Sequence, residues 1–255
     1  MSKVHVVIPD PHAHYRHNND RAIWLGNLIR DIRPDVVVNM GDTADMPSLS
    51  GYDRGKRSFQ GRTYAADIAA HGDFQERLWG TVRAGKKKLP RRITLIGNHE
   101  QRIDRAINIQ PELAGTVDYK DLCLDKWYDD VVHYVADTPG VINVDGIHYA
   151  HYFISGVMGR AIGGEHPAHA LLTHKHVSCT QAHSHILDRC IRTRADGRKI
   201  LGLVVGVYQD YWADWAGEAN RLWTPGVMIC RDVEDGHYND QWIGIEALRR
   251  EYGRA

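Results

Sequence analysis

The sequence predicts an α/β fold with parallel strands in its first half and antiparallel hairpins in its second. Three observations carry that expectation. Apolar, β-branched runs alternate with helical periodicity through the first half, Asp-Gly pairs punctuate the strands that follow, and acids, amides and histidines gather just past one apolar run after another. A strand–helix–strand order implies parallel pairing, and in open α/β sheets ligand-binding groups collect beyond the carboxyl ends of the strands.

Residues 4–8 (VHVVI) form the first short strand. The stretch NDRAIWLGNLIRDIRP offers an Asn/Asp cap and apolar Ile23, Leu25, Leu28, Ile29 and Ile32 near helical spacing. A second strand, DVVVNMGD over 35–42, ends in Gly-Asp. Residues 46–72 are rich in Gly, Ser, Arg, Lys and Tyr and too irregular for a helix before about Thr63, so the insert 46–90 reads as a lid or as an ordinary surface excursion. Within it, DFQERLWGTVRAGKKKLP (73–90) reads as a helix opened by a capping-box-like Asp73 and Glu76 and closed by three lysines and Pro90. RITLIGNHE (92–100) is a third strand running into a polar turn, and RIDRAI begins another helix.

The character changes past residue 140. The stretches 140–153, 186–208 and 226–245 each carry one Asp-Gly pair (Asp145-Gly146, Asp196-Gly197, Asp235-Gly236), which supplies the positive φ values of a tight hairpin. EHPAHALLTH (165–174) is a short helix leading into the strand HVSCTQAH (176–183). Residues 186–255 are accordingly read as C-terminal β-hairpins, and the aromatic run 207–223 as packing or an interface rather than a base-stacking surface.

With 255 residues, 43% hydrophobic content and no long linker, a single globular domain over 1–255 is expected. Lys plus Arg (32) balance Asp plus Glu (32), which argues against capture of nucleic acid or anionic membrane by bulk charge; any basic contact is local, as in the cluster Arg83, Lys86, Lys87, Lys88, Arg91 and Arg92. Four scattered cysteines without CxxC spacing, and the lack of a signal-peptide core or a bilayer-length apolar run, point to a reducing, cytoplasmic setting with no membrane partner.

The strand ends carry the chemistry. The first is followed by Asp10 and His12, the second by Asp42 and Asp45, the third by Asn98 and His99; HYAHYF adds His148 and His151, and AHSH adds His183 and His185. These hard or borderline oxygen and nitrogen donors, with no cysteine near them, suit Mn²⁺, Fe or Zn²⁺ rather than a closed structural zinc site. They are too many for one ion. Two ions about 3.5–4 Å apart, sharing a carboxylate, would use seven such groups. Asp10 and His12 share one side of the chain if it stays extended. His148 and His151 point to opposite faces of one apparent strand, and His151, nearer its end, is the ligand candidate. His14 and His17 are surplus, read as solvent-exposed loop histidines or as contacts to a substrate phosphate, while His174 and His176 read as structural.

The ordered series D-x-H, GD-x-x-D, GNHE, a histidine after an apolar run and x-H-x-H, spanning Asp10 to His185, resembles the calcineurin-like metallophosphoesterase family, in particular its compact phage- and bacterial-type members. The resemblance implies a calcineurin-like β-sandwich of mixed sheets flanked by α-helices, with a dinuclear metal site at strand ends. It implies two divalent ions, with Mn²⁺ first and Fe, Zn²⁺ or Ni²⁺ as alternatives. One would take Asp10, His12, Asp42 and His185, and the other Asp42, Asn98, His151 and His183, with Asp42 bridging. His99 falls at the family's general acid and Asp45 at the carboxylate that orients it. Arg102, His14 and Arg16 are candidates for holding the substrate. Two departures stand out: Met46 follows GD-x-x-D where the family's protein Ser/Thr phosphatases place an arginine, and Ala182 opens the last motif where glycine is usual. The first disfavours a protein phosphatase and favours a diester, which carries less charge to neutralise. The implied activity is hydrolysis of a phosphate ester by in-line attack of a metal-bridging hydroxide, the substrate being a nucleotide or a nucleic-acid end. The alternatives are a general phosphomonoesterase or protein Ser/Thr phosphatase and, in another class, a scaffold that keeps the fold without the chemistry. The oligomeric state is left open.

Overall fold

The structure, a computed structural model, describes residues 2–253. Along the chain run β1 (Lys3–Ile8), α1 (Asp20–Ile32), β2 (Val36–Asn39), α2 (Tyr64–Ala84), β3 (Arg91–Leu95), α3 (Arg102–Ile109), the one-turn α4 (Leu124–Trp127) and β4 (Asp130–Val132). Then follow β5 (Ile142–Val144), β6 (Ile147–Tyr149), the small hairpin β7 (Ile154–Ser155) and β8 (Arg160–Ala161), α5 (Pro167–Lys175), β9 (Cys179–Gln181), β10 (Leu187–Thr193), β11 (Lys199–Val205), β12 (Gly226–Glu234), β13 (His237–Gly244) and α6 (Ile245–Tyr252). One six-stranded sheet has the order β13-β12-β1-β2-β3-β4, and one five-stranded sheet the order β10-β11-β9-β6-β5. Both sheets are mixed: β1 to β4 are parallel, as is β9 to β11 and β6, whereas the hairpins are antiparallel.

The two-residue period of β1 explains the layering. Val7 faces inward with Val38, Met40, Ile93 and Leu95 against Tyr149, Leu201, Leu203 and Val205 of the second sheet, making the sandwich interior. Val6 and Ile8 face outward to Leu25 and Leu28 of α1 and to Phe74, Leu78 and Trp79 of α2. The far face of the second sheet is covered by Leu171 and Leu172 of α5, over Cys179 and Val204. A strand buried on both faces reads as a near-continuous apolar run, which is what VHVVI and VVVN show apart from buried His5 and Asn39. Each fully buried aliphatic side chain contributes about 1.5–3 kcal/mol.

Several elements depart from the sequence expectation. Helix α2 starts at Tyr64, nine residues before the expected start at Asp73, capped by Thr63, whose Oγ1 accepts from Ala66 N at 3.3 Å. Asp73 therefore lies inside the helix, where it pairs with Arg77 at 2.8 Å and receives Asn19 Nδ2 at 2.9 Å. Residues 47–59 fold as three short 3-10 turns, with Arg62 Nη1 bonded to Asp53 at 2.7 Å. The last hairpin does not continue a C-terminal meander: β12 crosses to pair with β1. Strand β4, helix α4, the β7–β8 hairpin and helix α6 have no counterpart in the sequence expectation. Among the described residues no helix is long and apolar enough to cross a membrane.

Candidate metal centre

Strands β1, β2 and β3 of the first sheet and β6 and β9 of the second point their carboxyl ends at one rim. The chain leaves three of them through left-handed turns, with φ of +34° at Asp10, +45° at His12, +48° at Asp42, +65° at His183 and +62° at His185. Outside glycine that region is uncommon, is best tolerated by Asn, Asp and His, and concentrates at functional sites. Asp10 and His12 thus converge through a tight turn, not because an extended chain places them on one side. Ala182 keeps a negative φ, and the left-handed step falls on His183 instead. The turns after β2 and β3 abut so closely that a Cβ on Gly97 would collide with Asp42 Oδ1 and Asp42 N.

Asp10 Oδ2 accepts from His183 N at 2.7 Å and lies 3.3 Å from His185 Nε2, while its Oδ1, fully buried, has no hydrogen-bond partner. His12 Nε2 and His185 Nε2 face each other at 3.2 Å. Asp45 Oδ1, 3.0 Å from His12 Nδ1, takes the proton on that nitrogen and so leaves the Nε2 lone pair aimed at His185. His151 Nδ1 donates to Met40 O at 2.8 Å, and its Nε2 stands 2.9 Å from Asn98 Oδ1 and 3.4 Å from Asp42 Oδ2. Apposed lone pairs and a bare buried carboxylate oxygen are poor partners for one another and good partners for a cation. Asp10, His12 and His185 place ligand atoms within 4.8 Å of one another, as do Asp42, His151 and His183, and Asp42 also lies within that reach of His12 and His99. This donor set fits two divalent cations.

Burial and neighbouring charges set the protonation of these groups before any cation arrives, and burial above all pushes Asp10 up to about 7. Burial works against the charge on Asp42, but His151 and His99 hold it well below the usual carboxylate range. Burial pushes His183 and His185 down to about 3, keeping both in the neutral form that ligates metal. His151 is also desolvated, but Asp42 and Asp10 outweigh burial and raise it to about 9.

His99 has its Nδ1 2.7 Å from Asp45 O and 3.0 Å from Asp45 Oδ1. Its Nε2 accepts from Arg102 Nη2 at 3.1 Å and lies 3.8 Å from Asp42 Oδ2. Arg102 Nη1 donates to the carbonyls of Asp45 at 2.8 Å and Met46 at 3.1 Å, so its charge stands beside His99. His14 is half-buried, 3.9 Å from Asp45 Oδ2, and stacked on Tyr15 at 4.6 Å. Arg16 is exposed over the Tyr15 ring. His17 is exposed in its loop and stacks on Tyr211 at 3.7 Å. His148 turns away to Asn143, and His174 and His176 close α5, clear of the cluster.

Five residues around the site escaped the sequence. Buried Glu100 accepts from Asp42 N at 3.0 Å, Gly97 N at 2.9 Å and Ala44 N at 2.9 Å, tying the second and third turns together. Fully buried Arg21 donates Nη2 to Pro11 O at 2.8 Å, and Tyr211 donates to His12 O at 2.6 Å, fixing the first turn. Trp223 sits edge-on to His185 at 4.3 Å, and Trp215 stands 6.5 Å from His99. Glu100 was visible inside GNHE, and the aromatic run was visible as composition; neither signal says what it touches.

No protein-family model matches the chain, and no curated protein sequence matches it. Solved structures do align over almost its whole length. The protein TT1561 of Thermus thermophilus is 10% identical, with 96% of this chain and 100% of that one covered and a TM-score of 0.37. A dimetal phosphatase from Danio rerio is 12% identical, with 96% of each chain covered and a TM-score of 0.45.

Proposed function

We propose that the chain is a two-metal phosphoesterase of the calcineurin-like metallophosphoesterase type, acting on a phosphodiester of nucleotide or nucleic-acid-end type with Mn²⁺ as the metal. The observation that carries this reading is the convergence of Asp10, His12 and His185 on one side and Asp42, His151 and His183 on the other, with Asp42 in reach of both. Bound there, two divalent ions would bring the pKa of a shared water toward neutrality and draw in two phosphate oxygens. Asp42 would belong to both sets, and Asn98 Oδ1 would join the second beside His151. Asp45 holds the proton on His99 Nδ1, leaving Nε2 to carry the proton that goes to the leaving oxygen. Before substrate arrives, Nε2 accepts from Arg102 and carries no proton; on binding, the guanidinium exchanges that nitrogen for a phosphate oxygen, and the freed Nε2 takes up from solvent the proton it passes to the leaving oxygen.

A second reading, a general phosphomonoesterase, is supported by that same guanidinium. Met46 is buried and brings no charge, but Arg102 reaches the Met46 carbonyl from α3 and places a cation near the missing arginine. The test is metal-depleted protein reloaded with Mn²⁺, Fe²⁺, Zn²⁺ or Ni²⁺ and assayed on bis(p-nitrophenyl) phosphate and p-nitrophenyl phosphate, with elemental analysis. Metal-dependent hydrolysis with higher kcat/KM on the diester is expected, together with loss of metal and near-complete loss of turnover in Asp42→Asn. A monoester preference would move the assignment to the second reading. Two bound metals with no hydrolysis of either ester would leave the scaffold, and full occupancy with normal turnover in Asp42→Asn would remove the bridge.

A further inference from the structure

We propose that Trp215 is a stacking platform for the base of a nucleotide held at the metal centre by its phosphate; this deepens the phosphoesterase reading and rests on it. The segment Asp214–Leu222 is a polar 3-10 stretch that leaves Trp215 61% exposed, whereas Tyr208 of the same aromatic run is fully buried. Packing therefore accounts for Tyr208 and not for Trp215, since an indole left in water forgoes the burial that makes tryptophan useful in a core.

The segment is nevertheless held in place. Asn220 Nδ2 donates to Ala213 O and Gly217 O, both at 2.8 Å, and its Oδ1 accepts from Ala213 N at 2.9 Å. Gly217 adopts φ 50° and ψ −130°, a conformation open to glycine and costly for side chains. The indole is thus presented by a closed, stapled loop.

Its position is what gives the platform a use. The Trp215 ring centroid lies 6.5 Å from that of His99 and 5.7 Å from that of Trp223, which in turn stands edge-on to His185. An exposed indole beside the proton donor borders the space into which the leaving group departs. In a nucleotide ester one sugar separates the base from the phosphorus, so a base whose phosphate is at the metals comes within reach of this ring. Stacking accepts any base, because every base has a π face. Glu218, on the same segment, is paired with Arg221 at 3.0 Å, which leaves Asp214 beside the ring and no unpaired basic group on the segment. Nothing on the segment tracks the phosphates of a long strand, so the ring suits a single nucleotide or a strand terminus.

The experiment compares adenosine 5′-monophosphate with ribose 5-phosphate as inhibitors of bis(p-nitrophenyl) phosphate hydrolysis by the Mn²⁺-loaded protein, because the two share phosphate and sugar and differ only in the base. The nucleotide should inhibit more tightly in the wild type. Trp215→Ala should raise its inhibition constant by about 5- to 150-fold, the range a stacked base supplies. The constant for ribose 5-phosphate should stay the same, and Trp215→Phe should restore most of the difference. Equal inhibition by the two in the wild type, or a parallel weakening of both in Trp215→Ala, would overturn the platform while leaving the phosphoesterase reading intact. If no metal-dependent hydrolysis is found, that reading fails by itself, and the platform is judged by tryptophan fluorescence: quenching by the nucleotide but not by ribose 5-phosphate, lost in Trp215→Ala, supports it, and no such quenching rejects it.

Discussion

A single carboxylate oxygen, Asp45 Oδ1, lies 3.0 Å from both His12 Nδ1 and His99 Nδ1. It therefore sets the tautomer of a candidate metal ligand and of the candidate proton donor together, and the hydrogen bonds from these imidazoles hold Asp45 well below the usual carboxylate range against its burial. The two substitutions that touch this arrangement should differ in kind. His99→Asn removes only the proton donor, so both metals should stay, and esters with poor leaving groups should slow by about 10²–10⁴-fold while nitrophenyl esters suffer less. Asp45→Asn loosens His12 as well, so metal affinity should fall by about 10–100-fold along with activity. Metal analysis paired with a leaving-group series checks both. Loss of metal in His99→Asn, or an equal slowing for good and poor leaving groups, would mean that His99 is a ligand.

At the level of elements, the site is made of turns rather than strands, and Glu100 is what couples two of them. Its carboxylate accepts three backbone N–H groups from the turns that carry Asp42 and Asn98. Glu100→Gln puts an amide N–H against one of those donors, so metal-free stability in urea should fall by about 1–3 kcal/mol and the metal content of the purified protein should drop. Unchanged stability and occupancy would show that the turns hold themselves. Such coupling marks the boundary of what the sequence discloses. The strands, α1 and the hairpins were legible because β-branched runs, helical spacing and Asp-Gly pairs are local signals. The start of α2 was misread because Asp73 and Glu76 imitate a cap, whereas the real one is the single hydroxyl of Thr63. Asp10, His12, Asp42, His151, His183 and His185 come together as their chemistry and order along the chain imply, but Asp10 and His12 converge through left-handed backbone, which cannot be read from residue type alone. Arg21 under the first turn, β12 beside β1 and Trp215 beside His99 are contacts between distant parts of the chain, and no local pattern announces them.

For the molecule as a whole, the groups buried to build the fold and the site tie stability both to pH and to metal. His71 lies on the inner face of α2, 1% exposed, and burial pushes it down to about 4. Its value when unfolded is about 6.5. The unfolded chain therefore binds a proton that the folded chain refuses; the contribution of neutral His71 is fully present above pH 6.5 and is lost as pH falls toward 4, amounting to about 2 kcal/mol by pH 5. Cations that bind only the folded form add about 4 kcal/mol when present at about 1,000 times their dissociation constant. Acid removes that contribution too, because ligands must be deprotonated to bind, and His151, raised to about 9, must already give up a proton at neutral pH. Urea unfolding separates the two effects. Without metal, the change in stability from pH 7 to pH 5 should be about 2 kcal/mol less destabilising in His71→Leu than in the wild type, whatever its stability at pH 7; Asp10, Asp67 and Glu100, which burial pushes up, act in the opposite direction in both proteins. With Mn²⁺ added, stabilisation should be large at pH 7.5 and small at pH 5 in both proteins. An acid slope unchanged by His71→Leu would place the sensitivity in other buried groups instead, and equal metal stabilisation at both pH values would show that His151, the imidazole that must give up a proton in this range, does not ligate the ions.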